Sequence, residues 1–416
     1  MQNSFVNKIK YICTNCQNQY DENEVKYLCP DCCKLNDQNN PPKGVLKIVY
    51  DYEGLRKAGI DFKKLSQKSF IDLLPINDLK SLPNLKVGNT PIYRITQLNN
   101  EGLAFNLYLK DDSQNPTYSF KDRASAIVSA YAKENGLETI VAASTGNAGS
   151  SLAGICASQN QKAIIMVPET APIAKLTQIV MYGATIVPVK GTYDDAFDLS
   201  VKATEEFGWY NRNTAFNPLT IEGKKTVSFE IFGQMDQLLP DRIFVPVGDG
   251  VIISGVYKGF EDLLKLNIIE KIPVIVAVQA NGSDNLTRNI TKDLFESRNS
   301  DTIADSISVD IPRNFYIAQD YLTKYNGEWI TVSDEEILNA SESLSRNSGL
   351  FAEPAAATAF AGLLKYKENE KLEPGSSNLV LLTGSGLKDV QGLKDFIKIP
   401  EAIVPNIENL LNKITG

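Results

Sequence analysis

Short apolar runs alternate with stretches of helical periodicity along most of the chain after residue 105. Runs with the length and composition of buried strands are Asn106–Lys110, Thr139–Ala143, Ala163–Val167, Thr185–Val189, Ile243–Val247, Val274–Val278 and Leu379–Leu382. Helical spacing follows most of them, with helices expected from Lys121, Ala148, Ile173 and Tyr193, around Gly255, and from Glu353–Ala357. The alternation predicts an α/β fold in which parallel strands carry helices on both faces. Ligands in such sheets bind beyond the carboxyl ends of the strands.

The stretch Asn115–Arg123 places Lys121 in the first turn of a predicted helix. Pro116 and Ser119 end the preceding extended segment, and the spacing of Ser119 and Asp122 resembles a capping box. The partial positive charge of a helix start disfavours a further cation and lowers the pKa of a lysine there. A lysine that attacks an aldehyde and then moves protons must be partly neutral. Lys121 is therefore predicted to be a Schiff-base lysine, with a solvated surface lysine as the alternative.

Two strand ends carry small residues that predict anion sites. After the strand Thr139–Ala143, a nest of backbone N–H groups suits a substrate carboxylate, and it comprises Ser144, Thr145, Gly146 and Asn147. After the strand Ile243–Val247, a glycine turn at a helix start suits a phosphate, and it comprises Gly248, Asp249, Gly250 and Val251. The second turn lacks the lysine of a nucleotide P-loop, and Gly255 comes too late for a dinucleotide motif. The phosphate of another cofactor fits it better.

A third strand end carries a hydroxyl group. The apolar strand Leu379–Leu382 is followed directly by Thr383, Gly384, Ser385 and Gly386. The small neighbours leave room beside Thr383, so its hydroxyl is placed to approach a flat ring from the edge.

Five of the six cysteines lie near the N-terminus, between Cys13 and Cys33. Two CxxC pairs predict a zinc ribbon in which four thiolates surround one metal ion, and the ligands are Cys13, Cys16, Cys29 and Cys32. Cys33 is an alternative to Cys32 as the fourth ligand. A catalytic zinc is less favoured, because such sites keep an open position and commonly include histidine or carboxylate ligands. Unliganded cysteines are the remaining alternative.

Composition excludes several classes of function. The chain of 416 residues has no histidine, which excludes serine and cysteine hydrolases that use a histidine base and HExxH metalloproteases. A net charge of -8 argues against a nucleic-acid partner. The residues Met1–Lys10 contain no apolar signal segment, and no apolar run approaches transmembrane length. A cytoplasmic protein without a membrane partner is expected.

These motifs together resemble the threonine synthase family of pyridoxal phosphate enzymes, within the group that also holds threonine dehydratase and cysteine synthase. The matching segments are Ser119–Arg123, Ser144–Asn147, Asn217–Thr226, Val247–Gly250 and Thr383–Asp389. The resemblance implies the two-domain fold type II architecture, with a large cofactor domain at 41–125 and 235–416 and a smaller, mobile α/β domain at 126–234. The ribbon at 1–40 would precede both, as in several threonine synthases.

The resemblance also implies roles for single residues. Lys121 would hold the cofactor covalently and act as acid and base, with Phe120 packed beside the ring and Asn147 on its 3-hydroxyl group. Thr383 would face the pyridine nitrogen, where a neutral hydroxyl group suits elimination and replacement chemistry. The turn from Gly248 to Val251 would bind the cofactor phosphate. The substrate carboxylate would lie on Ser144, Thr145 and Gly146.

The implied reaction converts O-phospho-L-homoserine and water into L-threonine and phosphate. Two positions depart from the family, which usually has arginine at the position of Thr220 and histidine at that of Ser385, near the leaving phosphate. Arg212 and Lys224 are expected to compensate, among the available cations Arg123, Arg212, Lys224, Lys225 and Arg313.

Several questions stay open at this point. The alternatives are a relative such as a cysteate synthase or a serine or threonine dehydratase, and a catalytically idle amino-acid sensor. The expected partner is a small amino-acid substrate, and the expected assembly is a monomer or a homodimer.

Overall fold

The computed structural model describes residues 8–394, 396–397 and 399–415. The prediction for Met1–Lys10 therefore falls largely outside the described residues. The strands are β1 Ile9–Cys13, β2 Gln19–Asp21, β3 Leu46–Tyr50, β4 Ile92–Leu98, β5 Glu101–Asp111, β6 Thr139–Ala143, β7 Lys162–Pro168, β8 Thr185–Val189, β9 Tyr210–Asn211, β10 Arg242–Pro246, β11 Val274–Ala280, β12 Glu328–Val332 and β13 Ser377–Leu382. The α-helices are α1 Tyr52–Lys57, α2 Phe62–Gln67, α3 Lys121–Glu134, α4 Asn147–Ser158, α5 Ile173–Met181, α6 Tyr193–Phe207, α7 Leu219–Lys224, α8 Thr226–Gln234, α9 Val251–Lys265, α10 Phe315–Lys324, α11 Asp334–Ser348, α12 Pro354–Glu368 and α13 Ile407–Thr415.

A six-stranded sheet in the order β12-β11-β10-β13-β5-β4 forms the larger layer. Its strands run parallel except for the β4–β5 hairpin at one edge. The inner strands are buried on both faces, because α9 packs on one side and α12 on the other. The continuous apolar runs in the sequence follow from this double burial. The predicted α/β architecture with parallel strands is confirmed.

A four-stranded parallel sheet in the order β8-β7-β6-β9 lies within residues 139–211. Helices α4 and α6 pack against it. This interval lies inside the segment expected to form the smaller domain, whose boundaries and mobility stay predictions. Strand β9 is only two residues long and lies at the edge of the sheet.

A small antiparallel sheet in the order β2-β1-β3 carries the cysteine-rich segment. All five residues of β1 pair with β3, from Ile9 opposite Tyr50 to Cys13 opposite Leu46. The sheet therefore continues past residue 40, where the ribbon was expected to end. We call residues 8–50 the N-terminal unit. In the described part of the chain, no helix has the length and apolar character needed to cross a membrane.

Candidate active site

Helix α3 begins at Lys121, and its start is joined to the end of β13. Phe120 N–H donates to the carbonyl oxygen of Thr383 at 2.8 Å, and Ser119 pairs with Gly384 as an isolated bridge. The strand end and the helix start meet at one edge of the larger sheet. Lys121 and Thr383, which were predicted from separate motifs, therefore belong to one site.

The expected capping box at α3 is wrong. Phe120 precedes the helix, and no described side chain caps it. Asp122 instead accepts a hydrogen bond from Thr117 N–H at 2.7 Å and another from the Thr117 hydroxyl. The aspartate thus holds the loop before the lysine rather than the helix start, so the loop conformation and Lys121 are fixed together.

The ammonium group of Lys121 lies in an environment that favours its neutral form. Burial is the largest cause that lowers its pKa, and the positive charge of Arg212 lowers it further, whereas Glu353 and Asp249 raise it. The direction agrees with the sequence prediction, but burial accounts for it rather than the helix start alone. A partly neutral amine is what a nucleophile and proton carrier requires.

Glu353 is a site residue that sequence reasoning missed. It directly precedes α12, and its side chain receives hydrogen bonds from Asn147 Nδ2 to Oε1 at 2.9 Å and to Oε2 at 3.0 Å. A Cβ atom at Gly384 would lie 2.5 Å from Glu353 Oε1, so glycine is required where the carboxyl group packs against the strand end. An acidic residue before the proline of a predicted helix was the available signal.

Burial raises the pKa of Glu353 to about 7, although Asn147 and Lys121 act in the opposite direction. The carboxyl group therefore exchanges its proton near neutral pH. It accepts hydrogen bonds from the Asn147 amide, which was predicted to bind the cofactor 3-hydroxyl group.

Replacement of Glu353 by glutamine should change how the stability of the cofactor-free protein depends on pH. The pKa is raised from an ordinary value of 4.5 to about 7, so between these values the folded state keeps a proton that the unfolded state releases. The free energy of unfolding of the wild type should therefore fall, relative to Glu353→Gln, by about 3 kcal/mol as pH rises through this window. Urea titrations at several pH values measure it. Parallel curves for the two proteins would contradict the assignment.

The glycine turn after β10 leads into α9 at Val251. Gly250 has φ +85°, which favours glycine, and a Cβ atom there would lie 2.9 Å from Leu286 Cδ1. Asn314 N–H donates to the Asp249 carbonyl at 3.0 Å, and Arg313 N–H approaches Asp249 Oδ1 at 3.2 Å. The segment Arg313–Asn314 thus fixes the turn at the start of a 15-residue helix. Its backbone amides fit a phosphate group.

The predicted carboxylate nest lies between β6 and α4. Ser144 N–H donates to Met166 O at 3.2 Å, so this amide is already engaged, and Gly146 N–H approaches Ser144 Oγ at 3.3 Å. Gly146 directly precedes the helix that starts at Asn147. The backbone N–H groups of Ser144 and Gly146 are thus engaged, so the predicted nest depends mainly on Thr145 and Asn147.

Three of the five candidate cations are held by carboxylates. Arg123 donates from Nε to Asp112 at 2.6 Å and from Nη1 to Glu230 at 2.7 Å. Lys225 lies 2.7 Å from Asp262, and Arg313 pairs with Asp194. The cations with partners are thus Arg123, Lys225 and Arg313, and they are poor candidates for a substrate phosphate.

Arg212 and Lys224 are different, because each is fully buried and each has a nitrogen without a partner. Arg212 donates from Nε to Ser125 Oγ at 3.2 Å and from Nη1 to Thr214 Oγ1 at 3.0 Å. Within the described residues, Arg212 Nη2 and Lys224 Nζ have no hydrogen-bond partner. Buried cations without partners are costly unless a ligand neutralises them. Both groups therefore indicate an anion site.

Arg212, Lys224 and Lys121 act on one another electrostatically. Burial lowers the pKa of Lys224 well below its usual value, and Lys121 and Arg212 lower it further. Burial also lowers the pKa of Arg212, to about 10, which leaves it charged at neutral pH. The predicted pair of compensating cations thus interacts electrostatically with the predicted cofactor lysine.

The two departures from the family pattern supply no positive charge. Thr220 is buried and donates to Asn217 O at 2.8 Å. Ser385 Oγ accepts from Leu387 N–H at 3.3 Å, and Ser385 N–H donates to Tyr118 O at 3.1 Å. Both side chains thus contribute to local backbone structure.

The four cysteines of the two CxxC pairs converge in the N-terminal unit. The sulfur atoms of Cys13, Cys16, Cys29 and Cys32 all lie within 4.8 Å of one another. The Cys33 thiol instead approaches Pro30 O at 3.7 Å. The geometry therefore selects Cys32 rather than Cys33 as the fourth member.

Comparisons with known proteins identify the family. The profile of the family described as "Pyridoxal-phosphate dependent enzyme" matches residues 84–384. A threonine synthase from Methanocaldococcus jannaschii is 37% identical over 355 residues, which are 83% of this chain and 87% of that protein. The chain belongs to the threonine synthase family. A further threonine synthase, from Halalkalibacterium halodurans, is 34% identical over 84% of this chain and 97% of its own length.

Solved structures agree with the fold of the threonine synthase family. Maize serine racemase matches with a TM-score of 0.63 and 23% identity, over 75% of this chain and 92% of that one. The processed threonine deaminase isoform 2 of Solanum lycopersicum matches with a TM-score of 0.60 and 23% identity, over 70% and 82%. At this identity the likeness concerns the fold, and it confirms the fold type II prediction.

Membership of the threonine synthase family makes the chain a pyridoxal phosphate-dependent lyase, as predicted. The residues fit this cofactor. A lysine with a lowered pKa starts α3, and a glycine turn precedes α9. The carbonyl oxygen of Thr383 accepts a hydrogen bond from Phe120 N–H, next to the lysine. The roles of the single residues stay proposals. The family also makes an idle sensor and the other amino-acid enzymes the less favoured alternatives.

Proposed function

We propose that the chain converts O-phospho-L-homoserine and water into L-threonine and phosphate. The observation that carries the proposal is the pair of unpartnered, buried nitrogens, Arg212 Nη2 and Lys224 Nζ, beside Lys121. A substrate with a phosphate dianion at one end supplies the negatively charged partner that these nitrogens lack. Serine and threonine carry no such group, which disfavours a dehydratase. The threonine synthase relatives support the same substrate.

The residues of this chain would bind and orient the substrate at its two ends. The substrate carboxylate would lie on the nest formed by Thr145, Gly146 and the adjacent residues Ser144 and Asn147. The phosphate would lie on Arg212 and Lys224, which replace the charge absent from Thr220. With both ends fixed, the carbon atoms between them are held beside the amine of Lys121.

Lys121 would move the protons of the reaction. Its amine would take one proton from Cα and one from Cβ of the substrate as phosphate leaves Cγ, and it would return one proton to Cγ and one to Cα. Water would add its hydroxyl group at Cβ and give its proton to the released phosphate, which yields threonine. Pyridoxal phosphate, when bound, supplies the electron sink for this chemistry. Phe120 would pack beside its ring, Asn147 would bind its 3-hydroxyl group, and Thr383 would meet its nitrogen. The amides of Gly248, Asp249, Gly250 and Val251 would bind its phosphate.

Product identification tests the proposal directly. The purified protein, loaded with pyridoxal phosphate, is incubated separately with O-phosphohomoserine, O-phosphoserine, serine and threonine. We expect equal amounts of threonine and phosphate from O-phosphohomoserine and slow conversion of the other three. Conversion of O-phosphoserine, serine or threonine without phosphate release from O-phosphohomoserine would favour the alternative enzymes instead.

We also propose that the four cysteines bind one zinc ion in a structural site. Four thiolates close a tetrahedral coordination sphere, and no position is left for a reactant. The ligands would be Cys13, Cys16, Cys29 and Cys32. A cytoplasmic location, where thiols stay reduced, and a monomer or homodimer stay part of this proposal.

Metal analysis of the purified protein should give about one zinc ion per chain. Cys13→Ser should lower the zinc content and the stability of the N-terminal unit, while the affinity for pyridoxal phosphate stays unchanged because no cysteine of the cluster contacts that site. Cys156→Ser is the matched control, because Cys156 is a buried cysteine outside the cluster. A Cys13→Ser protein that keeps its zinc and fold but loses turnover would point to a catalytic metal or thiol.

A further inference from the structure

The N-terminal unit touches the segment that carries Arg212. Tyr27 lies between the two CxxC pairs, and its hydroxyl accepts a hydrogen bond from Asn211 N–H at 2.9 Å. Its ring stacks on Phe216 with a centroid distance of 4.5 Å and an interplanar angle of 18°. It also lies 6.0 Å from the ring of Tyr210. One ribbon side chain therefore contacts the chain on both sides of the arginine.

The hydrogen bond from Asn211 N–H to Tyr27 lies on the open side of the edge strand β9. Strand β9 lies at the sheet edge, and Arg212 N–H donates inward, to Val141 O on β6, at 2.8 Å. The neighbouring Asn211 N–H points the other way, where no further strand pairs with it among the described residues. Tyr27 supplies the acceptor that a further strand would otherwise provide. The backbone that fixes Arg212 is thus held from the N-terminal unit on one side.

A second contact reaches the helix that ends at Lys224. Tyr50 lies on β3 opposite Ile9, and its hydroxyl donates to Glu222 Oε2 at 2.6 Å. Glu222 also pairs with Lys225, whose Nζ lies 4.1 Å from the centroid of the Tyr50 ring. Both contacts are buried, so they are shielded from water. The N-terminal unit therefore contacts the segment of each unpartnered nitrogen through one tyrosine: Tyr27 next to Arg212, and Tyr50 on the helix that ends at Lys224.

We infer that the N-terminal unit positions the anion site, with Tyr27 as the positioning residue for Arg212 and Tyr50 as that for the α7 segment. The inference rests on the proposed function, because it assigns the substrate phosphate to these cations. Tyr27 touches neither reacting atoms nor the predicted cofactor residues. Loss of the Tyr27 hydroxyl group should therefore lower the affinity for phosphate, while the affinity for the cofactor at Lys121 and the glycine turn stays unchanged.

The test uses the full, cofactor-loaded protein with Tyr27→Phe, which keeps the stacked ring and removes only the hydroxyl acceptor. We expect KM for O-phosphohomoserine and the dissociation constant of inorganic phosphate to rise about five- to tenfold, which is the effect of one lost hydrogen bond. The value of kcat, the affinity for pyridoxal phosphate and the zinc content should stay unchanged. Inorganic phosphate reports on the anion site without turnover.

Tyr131→Phe is the matched control. Tyr131 stacks on Tyr210 at 5.5 Å from helix α3, outside the N-terminal unit, and makes no hydroxyl contact with the Arg212 segment among the described residues. It should leave KM and phosphate binding unchanged. Tyr50→Phe provides a second variant if Tyr27→Phe folds poorly, and it should weaken phosphate binding in the same direction.

The outcomes separate this inference from the proposed function. If the wild type turns over O-phosphohomoserine but neither tyrosine variant changes KM or phosphate affinity, the inference is wrong and the proposed function stands. Equal effects of Tyr27→Phe and Tyr131→Phe would also overturn it, because they would show a general packing effect. A wild type that releases no phosphate from O-phosphohomoserine overturns the proposed function, and the inference falls with it.

Discussion

Lys121→Ala is expected to stop turnover and to remove the covalent link to the cofactor. A single acid–base group contributes about 10²- to 10⁴-fold to a rate, and this lysine would also hold the cofactor, so the loss should reach at least the upper end of that range. The physical reason is its position: the amine starts α3, burial lowers its pKa, and the start of the helix is joined to Thr383. No other described amine combines these features with that strand end.

Lys224 is the rival amine and therefore the best control. It is also buried, without a hydrogen-bond partner among the described residues, and its pKa is lowered mainly by burial. Borohydride reduction of the loaded protein followed by peptide mapping should label the peptide with Lys121. Lys224→Met should keep the label and the yellow colour of the protein. A label on the Lys224 peptide, or an active Lys121→Ala protein, would overturn the assignment.

The second large effect is expected at the proposed phosphate site. Arg212→Ala should raise KM for O-phosphohomoserine by roughly 10- to 150-fold, because one hydrogen bond to a charged group contributes about 1.5–3 kcal/mol. Lys224→Met should act in the same direction. The affinity for pyridoxal phosphate should change little, since its phosphate would lie on the turn at Gly250. Steady-state kinetics and cofactor titration measure both quantities.

A matched control for the loss of one positive charge is Lys202→Met, because Lys202 is an exposed lysine on α6. It should leave KM unchanged apart from screening effects at low salt. The proposed site would be contradicted if Arg212→Ala and Lys224→Met weakened cofactor binding as strongly as substrate binding. It would also be contradicted if neither raised KM.

Most strands of the two parallel sheets could be predicted from apolar runs, with bounds close to those in the structure. The buried strand Thr139–Ala143 has the expected bounds, as has the partly exposed edge strand Thr185–Val189, and α5 and α6 start at the expected Ile173 and Tyr193. Double burial leaves an uninterrupted apolar run between polar turns, so such strands are visible locally.

The edge strands β4 and β12 of the larger sheet were not predicted, because they lack such a run. Strand β4 is partly exposed along most of its length, and β12 carries the exposed Trp329, so neither gives a clear apolar run. The sheet of the N-terminal unit depends on pairing between β1 and β3, which are far apart in sequence. Local pattern carries little information about such pairings.

In the candidate site, too, features visible in the local sequence could be predicted, and features that depend on distant contacts could not. The motifs around Lys121, Gly250 and Thr383 could be recognised because each lies at a strand or helix end. The proton-exchanging carboxyl group of Glu353 could not, because its raised pKa depends on burial created by distant elements. Likewise, only the structure separates the engaged Arg123 from the unpartnered Arg212, since Glu230 is 107 residues from Arg123.

The cluster of Lys121, Arg212 and Lys224 has a consequence for the protein without ligands. The charge of Arg212 lowers the pKa of Lys121, and the charges of Lys121 and Arg212 lower the pKa of Lys224, so positive charges in this buried cluster oppose one another. This mutual opposition of charges disfavours the folded state of the ligand-free protein. Dianionic ligands remove that repulsion, and any ligand that binds only the folded state adds to its stability. If the proposed site is right, the free energy of unfolding of this enzyme should rise with the concentrations of its cofactor and substrate.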